Sequence, residues 1–279
     1  MKRILDERRH SERLLAGYGE TPAWIDAAVL AGRYATDTKE DGSYCMSVNA
    51  AVDEAIKQCR RRGRQGADST ASVKAMRAYA AKKRRNGLRE TAYLPLTANE
   101  TDTLIREANK RGRAAFRVLF ALIVLARYGQ TVSDKRDGWV CDDAGEVMRC
   151  AGVKCSSKQY DLILHTLYKD GCVSFPRRPD NLSVKVIVRQ EGEEAWRVPQ
   201  LDNIPAEVQM FIDTHRKAFN KGVFREPVKR WRRCKVCGVP VIAVNNSVKY
   251  CPSCAAVTKA KQVAASKRRH KTETPSGTP

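Results

Sequence analysis

Apolar positions recur at helical spacing through most of this chain, and the period shortens to two only in brief stretches towards its second half. Residues 1–92 read as a helical N-terminal region. Asp6 to Leu15 is charged and amphipathic, and Thr21-Pro22 opens a helix through Trp24, Ile25, Val29 and Leu30. Ser47 starts another that carries Val48, Ala51, Val52 and Ile56, and a last one runs from near Ser72 to Arg85. In residues 93–199, Thr97 and Glu100 have capping-box spacing ahead of Leu104, Ile105 and Ala108, and Phe116 to Tyr128 is an apolar helix. Gly138 to Cys141 predicts a short strand. Asp142 or Asp143 then caps a helix with Val147, Met148 and Ala151, which Gly152 ends. Ser156 and Gln159 form a second capping box, for a helix with Tyr160, Ile163, Leu164 and Leu167 on one face. Cys172 to Phe175 and the alternating Leu182, Val184, Val186 and Val188 predict a hairpin around Pro176 to Asn181.

Helix, strand, helix, turn, helix and hairpin, in that order, make up the winged helix-turn-helix plan. The expected fold class is therefore mainly α with small β. A helical linker follows over 200–230, capped by Asp202 or Asn203 and entered through Pro205; it joins the hairpin to the ribbon or packs across the winged domain. Residues 231–256 read as a zinc ribbon, and 257–279 as a basic helix and a disordered tail.

The ribbon rests on Cys234-Lys-Val-Cys237 and Cys251-Pro-Ser-Cys254, two C-x-x-C turns with thirteen residues between them. Each turn offers two sulfurs to one point, the arrangement a tetrahedral ion needs, and Gly238 relieves crowding behind the first pair. The expected cofactor is a structural Zn2+ held by Cys234, Cys237, Cys251 and Cys254; iron fits the same four sulfurs. Val239 to Tyr250 predicts a hairpin over the site around Asn245-Asn246-Ser247. Cys45, Cys59, Cys141, Cys150, Cys155 and Cys172 lack knuckle spacing and read as small apolar residues of a reducing compartment. A second metal site from Cys141, Cys150 and Cys155 matches no ligand turn.

Charge narrows the partner. Lys and Arg number 52 against 31 Asp and Glu, a formal net charge of +21. Such an imbalance points to a polyanion, with nucleic acid as the leading partner and DNA favoured over RNA. The longest apolar run, Val118 to Ala126, is bracketed by Arg117 and Arg127 and is too short to span a bilayer, so it reads as a buried core helix and no membrane partner is expected. With no apolar signal-peptide core near the N-terminus, a cytoplasmic location is expected.

On the second helix of the helix-turn-helix, Lys158, Gln159, His165, Thr166 and Lys169 face away from the apolar stripe towards a major groove. Gln159 suits adenine unless its capping box consumes it. Arg177 and Arg178 at the hairpin tip are candidates for a minor groove or the phosphate backbone. From Glu226 onward twelve Lys and Arg face two Glu, and Lys259, Lys261, Lys267, Arg268 and Arg269 form a cationic tail. Arg232, Arg233, Lys235 and Lys249 are expected to hold the thiolates ionised. No enzyme is expected: the four histidines are scattered and no phosphate loop, carboxylate cluster or nucleophile elbow appears.

On Cys234-Lys-Val-Cys237-Gly238, Lys249-Tyr-Cys251-Pro-Ser-Cys254-Ala255 and Lys267-Arg-Arg-His-Lys271, the chain resembles a diffuse group of bacterial, phage and mobile-element proteins. These combine a helix-turn-helix middle with a terminal ribbon ending in a basic helix. The resemblance covers about residues 93–271 and implies a DNA-associated protein of bacterial or phage origin. A regulator of transcription or replication, with a protein partner in one of those processes, is the expected function. RNA or ribonucleoprotein binding, and a phage-type adaptor that contacts another protein, are the alternatives. The sequence leaves the oligomeric state open.

Overall fold

Four helices come first: α1 (Glu7–Leu15), α2 (Ala23–Thr36), α3 (Val48–Arg61) and α4 (Thr70–Asn86). The computed structural model describes residues 3–18, 22–133, 137–175, 183–199, 201, 203–220, 223–224, 231–242 and 248–272, with 231, 242 and 264–272 described by backbone alone. Asp6, Ser47 and Ser69 cap α1, α3 and α4 through side-chain oxygens, so α4 begins earlier than its apolar pattern suggests. The core of these helices is built of small residues: Ala27, Ala31 and Ala35 of α2, Ala51 and Ala55 of α3, and Ala80 of α4 are all fully buried. Gly32 has a specific reason. A Cβ there would lie 2.8 Å from the Tyr79 ring, so α2 and α4 approach closely only because none is present.

One carboxylate ties this unit together. Glu7 is fully buried and accepts from Lys83 Nζ at 2.5 Å, the Arg89 guanidinium at 2.6 Å, the Arg89 amide at 2.9 Å and the Tyr79 hydroxyl at 2.7 Å. Burial pushes its pKa up, but Arg89, with Lys83 and Tyr79, outweighs burial and holds it below the usual carboxylate range.

The middle of the chain is closed end to end. β1 (Leu94–Thr97) pairs antiparallel with β5 (Glu194–Val198), Leu94 opposite Val198. Neither strand was evident from alternation, because each is short and few of its residues, Leu94, Leu96, Trp196 and Val198, turn towards the core. Between them run α5 (Ala98–Arg111), α6 (Arg113–Val132), β2 (Trp139–Val140), α7 (Ala144–Ala151), α8 (Ser157–Lys169), β3 (Val173–Ser174) and β4 (Val184–Val186). β2, β4 and β3 form one antiparallel sheet in that spatial order.

Both capping boxes are formed, Thr97 with Glu100 and Ser156 with Gln159. Glu100 does more than cap. Its Oε2 accepts from the Thr97 amide, and its Oε1 takes Arg127 Nη2 at 2.7 Å and Nε at 3.1 Å, which neutralises an arginine on the buried helix α6.

Helix α6 is the centre of the fold. Phe116 and Phe120 stack around Phe211 of α9 (Ile204–Thr214), with centroids 5.8 and 5.5 Å apart, and Trp196 of β5 sets its ring edge against Phe211 at 5.4 Å. Val208, Phe211 and Ile212 are fully buried in the core that α5–α8 share, so of the two expected roles for this helix the structure shows packing across the middle of the chain. Among the described residues only α6 is long and apolar enough to cross a membrane, and 78% of that window is buried inside the protein, as a core helix requires. The chain ends in β6 (Trp231–Arg233), β7 (Pro240–Ile242) and α10 (Pro252–Thr272). Among the described residues the fold is mainly helical with three small sheets.

Replacing Glu7 with alanine leaves Lys83 and Arg89 without their shared counter-charge and is expected to cost about 3–5 kcal/mol in urea unfolding. Because its native pKa is depressed, the stability Glu7 contributes is complete above about pH 5 and is lost as the pH falls towards the native value. The E7A variant should therefore show a flatter acid limb in stability against pH.

Candidate functional site

Cys234, Cys237, Cys251 and Cys254 are all buried, and their four sulfurs lie within 4.8 Å of one another. The Sγ atoms of Cys237 and Cys251 are 3.6 Å apart. A tetrahedral ion with sulfur ligands at about 2.3 Å sets neighbouring sulfurs about 3.8 Å apart, so the four thiols fit one metal ion. Local backbone explains the convergence. The Gly238 amide donates to the Cys234 carbonyl at 2.8 Å and the Cys234 amide to the Val239 carbonyl at 2.9 Å, which folds the first knuckle back on itself. Gly238 has φ +73°, where a side chain is strained, so the glycine after the knuckle is a geometric requirement.

The second knuckle is built differently from expectation. Helix α10 starts at Pro252, inside the C-x-x-C turn, with Cys254 in its first turn, and it continues through the boundary expected at 256/257. The positive end of the helix dipole therefore faces the sulfurs. β7 pairs with β6, the strand before Cys234, with Trp231 opposite Ile242. The expected turn at Asn245–Ser247 lies outside the described residues. The Lys235 amide donates to the Lys249 carbonyl at 3.0 Å, which holds the segment before the second knuckle against the first.

The thiols are unequal. Burial raises the pKa of Cys234, but the amides of Cys251, Cys237 and Val236 donate to its sulfur and bring it down to about 7. Burial pushes Cys237 up to about 12, and Cys254 is raised as well. A divalent ion offsets that penalty, because its positive charge stabilises thiolates that burial deprives of water.

Arginines near the knuckles do not all serve the thiolates. Arg233 forks onto the fully buried Glu207 of α9, at 2.9 and 3.0 Å, and also donates to the Arg197 carbonyl. It bolts the four-cysteine unit onto the main core. This bidentate pair was missed, although an acid among the apolar positions of α9 is its visible trace in the sequence. Arg9 of α1 reaches the Val236 carbonyl at 3.4 Å, and Tyr18 packs against the cysteine cluster.

The other cysteines do not converge. Among the described residues the four form the only such ligand group. Burial pushes Cys59 and Cys172 up to about 11, as for inert thiols, while Cys141 is exposed and Cys155 contacts Met148.

The basic positions are scattered over two regions. On α8, Lys158, Gln159, His165 and Lys169 are exposed and Thr166 is half-buried. Gln159 Oε1 accepts from the Ser156 amide at 2.9 Å, so pairing with adenine through both amide atoms would require breaking the cap. The Thr166 hydroxyl donates to the Leu162 carbonyl within the helix. The C-terminal end of α8 is held to α5 through Asp170, which pairs with Lys110 at 2.5 Å and Arg111 at 2.8 Å. The same helix and the residue after β3 expose apolar surface: Leu162 is 66% exposed, Tyr168 50% and Phe175 41%, with His165 and Phe175 both against Tyr168.

On α10, Lys259 and Lys261 are exposed, and the Lys261 ammonium sits 4.9 Å from the Tyr18 ring centroid. Arg177 and Arg178 lie outside the described residues, as do the side chains of Lys267, Arg268 and Arg269.

Comparison with protein-family models, with curated proteins and with solved structures finds no match. Function is therefore argued from geometry and charge.

Cys254→Ser is expected to abolish stoichiometric metal uptake by atomic spectroscopy and to raise hydrogen exchange across 231–254, while residues of the main core keep their protection. A chelator should reproduce the same local pattern in the unsubstituted protein.

Proposed function

We propose that the protein binds duplex DNA through a winged helix-turn-helix over 93–199, with α8 as the helix that enters the major groove. In this reading the four cysteines hold a structural Zn2+, and α10 adds cationic surface. The observation that carries it is the run α6, β2, α7, α8, β3, β4 with sheet order β2-β4-β3, on a chain of net charge +21. That connectivity buries Tyr160, Leu164 and Leu167 on one side of α8 and leaves Lys158, His165 and Lys169 outward, which supports groove contact with phosphates on either side.

Zinc is favoured by the all-thiolate set and by the closed, buried site, which leaves no coordination position for chemistry. Its part is then mechanical: it fixes both knuckles and the start of α10. A role in transcription or replication follows as the class of process in which such a DNA-binding protein acts.

A protein-docking reading is favoured by one observation, the exposed Leu162, Tyr168 and Phe175 on and beside α8. The two separate in hydrogen exchange. Protection of 157–169 by excess duplex supports groove contact, and no change there supports docking.

Replacing Lys158 and Lys169 together with alanine should weaken duplex binding in fluorescence anisotropy and reduce the slope of log K against log salt by about 1 per lost phosphate contact. Preference for structured RNA over duplex DNA at matched salt would overturn the DNA reading in favour of an RNA one.

A further inference from the structure

One sizeable cleft has no part in the reading above. It has a volume of about 480 Å³ and lies where α1, α2 and α4 meet α6 and β2. Pockets for small ligands fall at such unit boundaries, at about 300–1,000 Å³. Its walls are aromatic and cationic at once. Trp24 of α2, Tyr79 of α4, Tyr128 of α6 and Trp139 of β2 each turn a half-buried ring towards it, although the whole chain has only 4 Trp and 9 Tyr.

The charge in this wall is unbalanced. Glu7 is the shared partner of both Lys83 and Arg89, so two cations face one carboxylate. Arg3 does not add to the excess, because Asp142 at 2.5 Å and Glu146 at 3.1 Å answer it. Lys82 does add to it, as an exposed ammonium on the rim. Lys83 and Arg89 are held in place by more than Glu7: Lys83 sits 5.3 Å from the Tyr79 ring centroid, and Arg89 5.4 Å from that of Tyr128. Fixed positive charge with too little counter-charge is costly in a half-buried wall, and an anion relieves it.

We infer that this cleft binds a small anion carrying a planar ring, the chemistry of a nucleotide. The ring stacks against Trp24 or Trp139, and the phosphate pairs with Lys82 and the Lys83–Arg89 side. Asn86 and Thr131 supply polar atoms for the ring edge. Two sources share this chemistry, a free nucleotide and an unstacked nucleotide of a single strand. The inference is independent of duplex binding by α8.

The test titrates the full chain with each of the four nucleoside monophosphates, with a short single-stranded oligonucleotide, and with inorganic phosphate, reading tryptophan fluorescence and calorimetric heat. Saturable quenching by a mononucleotide, absent in Thr131→Trp, supports a free nucleotide as ligand. Quenching by the oligonucleotide alone, again absent in T131W, supports a strand nucleotide. The T131W ring fills the cleft while removing no core side chain, and an unchanged unfolding midpoint verifies that it folds. Lys82→Glu changes only an exposed residue and should weaken binding about tenfold or more, the loss of one charge-assisted contact and the gain of a repulsion. Phosphate alone should neither quench nor saturate. Absence of saturable binding by every nucleotide probe, or binding that T131W leaves intact, overturns the inference. Duplex affinity is measured in the same T131W protein; its retention keeps this result separate from the α8 reading.

Discussion

Helix α6 has almost no face that can be left in water, and the surrounding elements are arranged to cover it. From Ala115 to Arg127 every residue is buried, including two arginines. Apolar side chains all round a helix require neighbours on every side, and here α5, α7, α8, α9 and the sheets of β1 and β4 supply them. The buried arginines add a second demand, since each needs a polar partner inside the protein. Arg127 finds it in Glu100, the residue that also caps α5, so helix start and charge compensation are met by one carboxylate. Arg117 reaches Gln209 of α9, which ties the far side of the helix to the element that follows the sheet.

The same device recurs at each junction of the chain: a buried carboxylate shared with basic groups from another element. Glu7 joins α1 to α4 and to Arg89, and Glu207 joins α9 to Arg233 before the first knuckle. Such pairs add little net stability over a well-packed apolar contact, yet each is costly to break on one side only. Their effect is to fix which surfaces meet. The four-cysteine unit is thereby oriented against α9, and the N-terminal helices are set across α6 with a cleft between them whose wall carries the surplus charge.

The four-thiol cluster and the α8 surface are built in different ways. The cluster is closed: its sulfurs are buried, its amides point inward, and one helix starts from within it. The α8 surface is open and mixed, with lysines, a capping glutamine and an exposed run of Leu162 and Tyr168. Closed sites of this kind hold geometry, whereas open ones recognise partners. The sequence spacing of the cysteines was specific because a four-thiol cluster depends on local turns, whereas the α8 surface is less legible because it is assembled by distant elements.

Much of the helical plan was legible in local chemistry. Ser47, Thr97, Asp143, Ser156 and Asn203 cap the helices that their spacing suggested, because a cap is a contact over three residues and needs no tertiary information. The four-cysteine set was legible for the same reason. What the tertiary structure alone decided were contacts across long separations. β1 and β5 are too short for alternation to reveal, and they exist because each pairs with a strand about a hundred residues away. The sequence left open whether α9 links or packs, and it packs because Phe211 meets Phe116 and Phe120. Arg233 turned from the thiolates to Glu207, since a buried carboxylate without a partner is the more costly alternative. Local turns and caps could be read from residues a few positions apart, but the cleft, the clamps and the outward face of α8 depend on which distant surfaces are buried against one another.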